Sequence, residues 1–406
     1  MTEIFHGSFT QQDPIPEEGI AAGLAVLNHG RLHRYNTAGD EVAQAALLEE
    51  DFARQTGAAY CLAVASGGYA MTTALRACGV THGDFVLTNA FTLAPVPGAI
   101  AAVGATPIYV GVTEDLVIDL DDLQSKLPEA NDETKSGARV LLLSHMRGHI
   151  CDMDRLMALC NAAGVTVIED CAHTMGAAWN DVPSGRWGKF GCFSTQTYKH
   201  VNSGEGGLLI SDDADGMARA IMLSGSYMLF DKHRAAPPPE TFAQIKYETP
   251  NISGRMDNLR AAILRPQLRD LATQARRWND RYAVLAEGVA GTTGLQVPHR
   301  PAAEQFVASS FQFLLLDWDP KDVSEVLARC KARGVELKWF GGAEPAGFTS
   351  RYDSWRYAPA PSMPATDRIL AGIIDMRSPL TFSLADCAVI GRIIKEVVST
   401  VHQGVQ

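Results

Sequence analysis

Residues 165–173, Val-Thr-Val-Ile-Glu-Asp-Cys-Ala-His, join a short apolar run to two adjacent carboxylates. The apolar run has the length and the β-branched composition of a buried strand, so Glu169 and Asp170 are predicted to stand at its carboxyl end. In open α/β sheets, ligands bind at the carboxyl ends of the parallel strands. The sequence therefore predicts a ligand site at this end of the strand.

The same kind of apolar run recurs on both sides of this strand. Helix-length segments separate several of the runs, which is typical of a parallel sheet covered on both faces. The predicted strands are Tyr60–Val64, Phe85–Thr88, Pro107–Val110, Val140–Leu143, Val165–Ile168, Cys192–Ser194 and Leu208–Ile210. The predicted helices are Ala70–Cys78, Pro95–Val103, Leu120–Leu127 and Met153–Ala163. The predicted fold class is α/β, with a mostly parallel sheet between layers of helices.

The pattern changes after residue 211. A helical segment, Ala214–Ser224, and a polar loop precede a long helical pattern from Met256 to about Ala286. After an irregular stretch come further predicted elements, the strands Phe311–Leu316 and Val335–Lys338 and the helices Asp322–Arg333 and Asp386–Val401. We predict two domains, a large domain over residues 1–290 that contains the predicted ligand site, and a smaller C-terminal α+β domain over residues 291–406.

Composition and charge exclude several classes of protein. The 406 residues are 46% hydrophobic and 20% charged, which is a globular balance, and the net charge of −11 argues against a nucleic-acid-binding protein. No apolar run approaches the roughly 20 residues of a membrane span. The first residues have neither the basic region nor the apolar core of a signal peptide. The eight cysteines are scattered without a C-x-x-C pair, so we expect a cytoplasmic protein with reduced thiols.

Three short motifs carry candidate chemistry. Ala65-Ser66-Gly67-Gly68 opens a predicted helix, where backbone N–H groups could bind a phosphate or simply form a tight turn. Asp170 could hold a metal, act as a base, pair with a protonated ring nitrogen or cap a helix. Lys199 lies among small polar residues between two predicted strands. It could form a Schiff base if its pKa is lowered, or it could lie at the surface.

A zinc site is the competing interpretation of a fourth motif. His145, His149 and Cys151 are closely spaced, and His173 could be a further ligand. However, histidines at i and i+4 share a face only on a helix, and Gly148 favours a loop here. We therefore predict no metal. The three motifs above together match the needs of pyridoxal 5′-phosphate (PLP): donors for its phosphate, an acid beside its ring nitrogen, and a lysine for its aldehyde.

The order of these motifs resembles the DegT/StrS sugar-aminotransferase family, within the aspartate-aminotransferase fold (type I) of PLP enzymes. Residues 66–68 are similar to the family's S-G-T turn, with Gly68 in place of threonine. Residues 145–154, H-M-R-G-H-I-C-D-M-D, resemble H-L-Y-G-x-x-x-D-M-D. Residues 167–177 and 194–207 match V-I-E-D-A-A-Q-A-x-G-A and S-F-x-x-x-K-H-x-x-x-G-E-G-G. Residues 251–262 resemble N-Y-R-M-x-x-x-Q-A-A with extra spacing.

The resemblance implies a role for each matching residue. Lys199 would form the Schiff base with PLP and move the proton, and Asp170 would pair with the pyridinium nitrogen. His173 would lie beside the ring hydroxyl. The remaining cofactor-binding candidates are the phosphate-binding residues Ser66, Gly67, Gly68 and Ser194, and Asn251, which would reach the cofactor of a neighbouring subunit in a homodimer. Leu93 stands where the family usually has the Phe or Trp that stacks on the ring, and Phe91, two residues earlier, is the aromatic candidate that could replace it.

The resemblance also implies an activity, the transfer of an amino group from glutamate or glutamine to a keto-sugar, cyclitol or related polar ketone. Dehydratases of the family replace the lysine with histidine, and they are the alternative because His200 follows Lys199. The candidate substrate-binding residues are His145, His200, Arg255 and Arg377. Arg377 could bind a carboxylate bidentately or lie at the surface. Residues 338–342, K-W-F-G-G, replace the family's H-Y-x-P-L-H, so the acceptor need not be a nucleotide sugar.

Overall fold

The computed structural model describes residues 3–130 and 139–405. Its strands are β1 (Tyr60–Val64), β2 (Phe85–Asn89), β3 (Thr106–Val110), β4 (Val140–Ser144), β5 (Thr166–Asp170), β6 (Ala178–Trp179), β7 (Val182–Pro183), β8 (Phe190–Ser194), β9 (Gly207–Ser211), β10 (Glu304–Gln305), β11 (Ser310–Leu314), β12 (Lys338–Trp339) and β13 (Ile373–Arg377). Its helices are α1 (Glu17–His29), α2 (Gln44–Thr56), α3 (Gly67–Ala77), α4 (Pro95–Ala102), α5 (Leu120–Ala130), α6 (Met153–Ala163), α7 (Ala214–Leu223), α8 (Phe242–Glu248), α9 (Asn258–Val289), α10 (Pro320–Ala332), α11 (Pro364–Gly372) and α12 (Leu384–Val405).

The main sheet has seven strands in the order β1-β9-β8-β5-β4-β2-β3. Strand β9 runs antiparallel to both of its neighbours, whereas the pairs from β8 to β3 are all parallel. Strand β5, which ends at Asp170, lies in the middle of this sheet. The predicted mostly parallel α/β sheet is confirmed, and all seven predicted strands are present with ends shifted by one or two residues.

Successive residues of the central strands enter different hydrophobic layers. Val86, Leu142 and Ile168 pack with α3, α4 and α7 on one side of the sheet. Leu141 and Val167 pack with α5 and α6 on the other side. Because side chains alternate across a strand, a sheet buried on both faces needs apolar residues at nearly every position. This explains the continuous apolar runs in the sequence.

The C-terminal part forms a second, antiparallel sheet in the order β11-β13-β12. The 32-residue helix α9 begins after Asp257, whose side chain accepts a hydrogen bond from the Arg260 backbone N–H at 2.9 Å, and it packs against α1, α2 and α12. Phe5 and Phe9 pack in the C-terminal core around Phe382. The chain start therefore contributes to the second core, and the division at residue 290 stays a prediction.

Several elements were not predicted from the sequence. They are α1, α2, α8, α11, the two-residue strands β6, β7 and β10, and the central strand β13 of the second sheet. The predicted strand Val335–Lys338 is replaced by the two-residue strand β12, which begins where the prediction ends. All eight cysteines lie in the described ranges, where they are unpaired, and seven of them are buried. No helix among the described residues is long and apolar enough to cross a bilayer.

Candidate active site

A cavity of about 520 Å³ opens at the carboxyl ends of β5 and β8, between the main sheet and the second sheet. Its walls are formed by five segments of the large sheet region and, from the C-terminal part, by residues 309–310, residues 345–355 and the end of β13. The predicted site residues that line it are Ser66, Gly67, Gly68, Asp170, His173, Ser194, Lys199 and Arg377. The structure thus brings together most of the cofactor-binding residues proposed from the sequence.

The glycine turn places the N-terminus of α3 at one wall of this cavity. Ser66 caps the helix, since its Oγ accepts a hydrogen bond from the Tyr69 backbone N–H at 3.0 Å. A Cβ atom on Gly67 would lie 2.9 Å from the Cβ of Ser194, so only glycine permits this close approach. The first N–H groups of a helix have no acceptor within the helix, which leaves those of Gly67 and Gly68 available to an anion.

Asp170 is a buried carboxylate at the end of β5. Its Oδ2 accepts a hydrogen bond from Ser144 Oγ at 2.9 Å, and its Oδ1 accepts one from the Ala172 backbone N–H at 3.2 Å. Thr92 Oγ1 donates in turn to Ser144 Oγ at 2.8 Å. Burial raises the pKa of Asp170, and the nearby Lys199 charge opposes that rise. The carboxylate is therefore held in place and still faces the cavity.

Lys199 extends its amine into the same space. Its Nζ lies 2.8 Å from Nε2 of His173, at hydrogen-bonding distance. Burial lowers the pKa of Lys199 to about 7, and the Arg147 charge lowers it as well, whereas the Asp170 carboxylate raises it. Burial also lowers the pKa of His173 well below its usual value, so this imidazole is neutral. A large share of the Lys199 amine is consequently uncharged and nucleophilic near neutral pH.

Two predicted cofactor-binding residues lie outside the cavity. Phe91 is buried in the core, where its ring meets Phe340 edge-on at 5.1 Å between centroids, and Leu93 lines the cavity instead. Asn251 is exposed, and its Oδ1 accepts a hydrogen bond from the Tyr227 backbone N–H at 2.7 Å. Within one chain neither residue lines the cavity, whereas Leu93 does.

Three of the four predicted substrate residues also lie away from the main cavity. His145 pairs with Glu169 at 3.0 Å, and both side chains are almost fully buried. His200 hydrogen-bonds Ser309 Oγ at 3.1 Å. Arg255 donates to the Gly225 carbonyl at 2.6 Å. Their placement gives no support to a role in substrate binding.

Arg377, the fourth predicted substrate residue, lines the cavity at the end of β13. Its guanidinium carbon lies 3.5 Å from the ring centroid of Tyr198 and 5.3 Å from that of Phe348. Within residues 3–130 and 139–405, no carboxylate forms an ion pair with it. A stacked arginine that has no protein carboxylate is suited to a carboxylate ligand.

The cavity contains residues that sequence reasoning missed. Arg147 lines it with a backbone φ of +57°, and Tyr198, Phe348 and Trp355 supply aromatic surface. The departure of residues 145–148 from H-L-Y-G could have drawn attention to Arg147, because an arginine there replaces a tyrosine. No motif marks Phe348 or Trp355, which lie in an irregular stretch of the C-terminal part.

The four candidate zinc ligands contact different partners in the described chain. The partners of His145 and His173 are given above, His149 Nε2 lies 3.0 Å from Gln312 Oε1, and Cys151 Sγ lies 3.6 Å from Met153 Sδ. The side chains of His145, Glu169 and Cys171 do come within 4.8 Å of one another. However, Glu169 already accepts hydrogen bonds from three backbone N–H groups, at 2.7–2.9 Å. This carboxylate has little capacity left for a cation.

Comparison with known proteins shows first the fold and then the family. A proposed sugar aminotransferase from Streptococcus pneumoniae, solved in a PLP form and a PMP form, superposes on the chain with TM-scores of 0.77 and 0.79. It is 18% identical, and the match covers 98% of this chain and 100% of that one. The fold is therefore that of the aminotransferases. The sequence profile of the DegT/DnrJ/EryC1/StrS aminotransferase family matches residues 16–395, and the chain belongs to this PLP-dependent family.

Two curated relatives extend this comparison. An L-glutamine:2-deoxy-scyllo-inosose aminotransferase from Streptomyces lividus is 30% identical over 288 residues, which are 69% of this chain and 65% of the relative. The chain thus spans just under two thirds of that relative's length. A UDP-N-acetyl-3-dehydro-alpha-D-glucosamine 3-aminotransferase from Acidithiobacillus ferrooxidans is 29% identical over 316 residues, 75% of this chain and 79% of the relative. The resemblance predicted from the motifs is confirmed.

Proposed function

We propose that this chain is a PLP-dependent aminotransferase that moves an amino group from glutamate or glutamine to a keto-sugar, cyclitol or related polar ketone. The observation that carries the proposal is Lys199, an amine whose pKa falls to about 7 in a cavity that also contains Asp170 and the glycine turn. The names of the relatives support the class of substrate, since one aminates a cyclitol ketone and the other a nucleotide-linked sugar.

The residues around the cavity fit PLP. The phosphate would be held by the N–H groups of Gly67 and Gly68 and by the Ser194 hydroxyl, all of which line the cavity. Glycine at position 67 keeps this wall intact, because a Cβ there would meet Ser194. Asp170 would pair with the ring nitrogen, and Lys199 would hold the aldehyde carbon. When bound, PLP supplies a carbonyl that condenses with amines and a ring that stabilises negative charge on the substrate carbon.

The chain's own residues would handle the proton and orient the substrate. Lys199 Nζ would accept a proton from the substrate carbon, because about half of this amine is uncharged at pH 7. The neutral His173 Nε2, at 2.8 Å, would hold that amine in place. Asp170, fixed by Ser144 and the Ala172 N–H, would keep a proton on the ring nitrogen.

Arg377 is positioned to bind the α-carboxylate of the amino donor. Its planar guanidinium lines the cavity and is stacked on Tyr198, which restricts its rotation. Planar guanidinium groups bind carboxylates through two parallel hydrogen bonds. This role would orient the donor with its amino group toward Lys199.

A dehydratase is the alternative function, and the placement of Lys199 and His200 favours amino transfer over it. Lys199 projects into the cavity beside Asp170, whereas His200 points to Ser309 and packs on Trp278, with 5.0 Å between ring centroids. Burial lowers the pKa of His200 to about 3, so it stays neutral. An enzyme that keeps the lysine in the cavity has the base that amino transfer needs.

We further propose a cytoplasmic homodimer with small-molecule substrates. Ile20, Leu24 and Leu27 form an exposed apolar row along α1, at positions that share one helix face. A second copy of the chain would cover this row and bring its Asn251 toward the cofactor. The eight unpaired cysteines are typical of a reducing compartment.

The proposal is tested by following the transfer of labelled nitrogen from the amino donor to the keto acceptor. The PLP-loaded protein is incubated with glutamine or glutamate labelled with ¹⁵N at the α-amino group, and with scyllo-inosose or a 3-keto nucleotide sugar as acceptor. We expect a labelled amine on the acceptor by mass spectrometry. If cofactor binds but neither donor is converted to its keto acid, the aminotransferase proposal is wrong. Loss of a hydroxyl group without nitrogen gain would establish the dehydratase instead.

A further inference from the structure

The second sheet has a polar face that reaches the cavity at Ser310 and Arg377. Gln312 in β11 and Lys338 in β12 are both cross-strand neighbours of Asp375 in the central strand β13. Ser310 and Arg377 form the next pair on the same face, two residues further along. The neighbouring residues Phe311, Phe313, Ile374 and Met376 face the opposite way, into the core. Polar side chains therefore form a continuous row beside the site.

Arg147 meets this row from the main-sheet side. Its Nη2 lies 2.7 Å from Oδ2 of Asp375, although the two groups are not aligned as a hydrogen bond. The other oxygen of Asp375 accepts a hydrogen bond from Gln312 Nε2 at 2.8 Å. Arg147, Ser310 and Arg377 all line the cavity that contains Lys199. The row and the active site are thus continuous.

Positive charge exceeds negative charge where Arg147 meets the polar row, because Arg147, Lys338 and Arg377 stand near a single buried carboxylate, Asp375. Lys338 Nζ is buried and has no hydrogen-bond partner among the described residues, and the same holds for Nε of Arg147. Burial lowers the pKa of Lys338 to about 8. The charges of Arg147 and Arg377 lower it further, while Asp375 and the exposed Glu336 raise it. A buried cation without a partner is destabilising unless an anion joins it.

We propose that Arg147 and Lys338, next to Arg377, form a subsite for a carboxylate on the keto acceptor, so that the acceptor is a polar ketone that is also an acid. This inference rests on the proposed function and narrows its acceptor class. Arg147 replaces the tyrosine of H-L-Y-G, and Lys338 begins the segment that replaces H-Y-x-P-L-H. Both cations are therefore features of this chain, and both neighbour Asp375, Arg147 through its ion pair and Lys338 as the cross-strand residue.

The test compares two cyclic ketones of similar size on the holoenzyme. Scyllo-inosose is neutral, and 3-dehydroquinate carries a carboxylate. We expect calorimetry to give at least a ten-fold tighter Kd for 3-dehydroquinate, and Lys338→Met to remove that preference while leaving the Kd of scyllo-inosose within about two-fold. Lys338→Arg, which keeps the charge, should retain the preference. Lys321→Met, an exposed lysine on α10, is the matched control and should behave as wild type.

Thermal unfolding supplies a readout that a purely structural lysine would not share. Without ligand, Lys338→Met should unfold at a higher temperature than the wild type, because an unpaired buried ammonium is replaced by an apolar chain of similar length. At equal concentration, 3-dehydroquinate should raise the Tm of the wild type more than scyllo-inosose does, whereas the two ketones should raise the Tm of the variant equally. A lower Tm of the unliganded variant, or equal Kd values for the two ketones in the wild type, would overturn the subsite.

The donor reaction separates this proposal from the proposed function. Lys338→Met should convert glutamate and glutamine to their keto acids at wild-type rates. If it slows glutamate alone, the subsite binds the donor's second carboxylate and the proposal is wrong. If the wild type converts neither donor but still prefers 3-dehydroquinate, the proposed function fails while the subsite stands.

Discussion

Lys199 is the residue on which the chemistry of this site depends. An amine with a pKa of about 7 differs from an ordinary lysine because it is uncharged in about half of the protein molecules at pH 7. The causes are local: the amine has lost water, and Arg147 adds a repulsive charge. Both causes can be changed experimentally, which makes the lowered pKa testable apart from turnover.

We predict that the rate at which the apoprotein binds PLP covalently rises about ten-fold from pH 6 to pH 8 and then levels off, because the pKa of Lys199 is near 7. The measurement is the growth of the visible absorption band after mixing. The same reaction with N-acetyl-lysine amide corrects for ionisation of PLP itself.

Arg147→Gln provides the matched variant for this pH profile. Removing its charge should raise the pKa of Lys199, so the rise in rate should move to higher pH. A wild-type rate that keeps increasing up to pH 10 would mean that Lys199 is an ordinary lysine.

At the scale of residues, the motifs predicted which residues lie near the cavity. They did not predict which of these residues point their side chains into it. Asp170 and Glu169 are adjacent on β5 and therefore point to opposite sides. Asp170 lines the cavity, whereas Glu169 points away from it and pairs with His145. Arg34 and Glu49 form a buried bidentate pair at 2.8 and 2.9 Å. The sequence did not indicate this pair, because neither residue belongs to one of the motifs.

At the scale of elements, the junction between α3, β8 and β9 shapes the cavity wall that is proposed to bind the PLP phosphate. Gly67 approaches Ser194 of β8, and a Cβ on Gly207 of β9 would lie 2.5 Å from the backbone of Ser66. Two glycines thus let a helix N-terminus pack directly against two strand ends. The wall depends on backbone geometry rather than on a charged side chain.

We predict that Gly67→Ala weakens PLP binding by at least ten-fold, because the added methyl group meets the Ser194 Cβ at 2.9 Å and displaces the turn. Gly68→Ala is the matched control, since its Cβ would meet no atom closer than 3.9 Å. Titration of the apoproteins with PLP, followed by fluorescence, gives both dissociation constants. Equal losses in the two variants would show that close packing at Gly67 is not what shapes this wall.

Elements were predictable where burial leaves a simple pattern. The strands of the main sheet are buried on both faces and appear as apolar runs. The polar row on β13 interrupts its apolar pattern with Asp375 and Arg377, and the strand was missed. Strand β12 contributes only Lys338 and Trp339, too few residues for a recognisable alternation. In the second sheet, the strands that resisted prediction, β12 and β13, both contribute to the polar row.

At the scale of the whole molecule, the exposed row on α1 is the feature that a single chain leaves unexplained. Ile20, Leu24 and Leu27 are 49%, 53% and 52% exposed. Exposed apolar side chains that follow one helix face are typical of an interface. Sequence patterns indicated a homodimer only through the family resemblance, since no motif in α1 marks the helix as a contact.

We predict that Leu24→Glu converts a dimer to a monomer, because a second copy would bury a carboxylate without a partner. Sedimentation measures the mass, and PLP affinity should fall together with it if Asn251 reaches across the interface. Leu384→Glu, at an exposed position on α12, should leave both unchanged. A Leu24→Glu protein that remains dimeric would place the interface elsewhere.

The central claim is that Lys199 holds PLP in a cavity built for amino transfer. The most direct measurement is reduction of the PLP-loaded protein with borohydride, followed by peptide mass spectrometry. We predict that the reduced phosphopyridoxyl group is found on Lys199 in the wild type and that Lys199→Ala yields no adduct and no conversion of glutamate. A phosphopyridoxyl group on another lysine, or an adduct that persists in Lys199→Ala, would contradict the assignment.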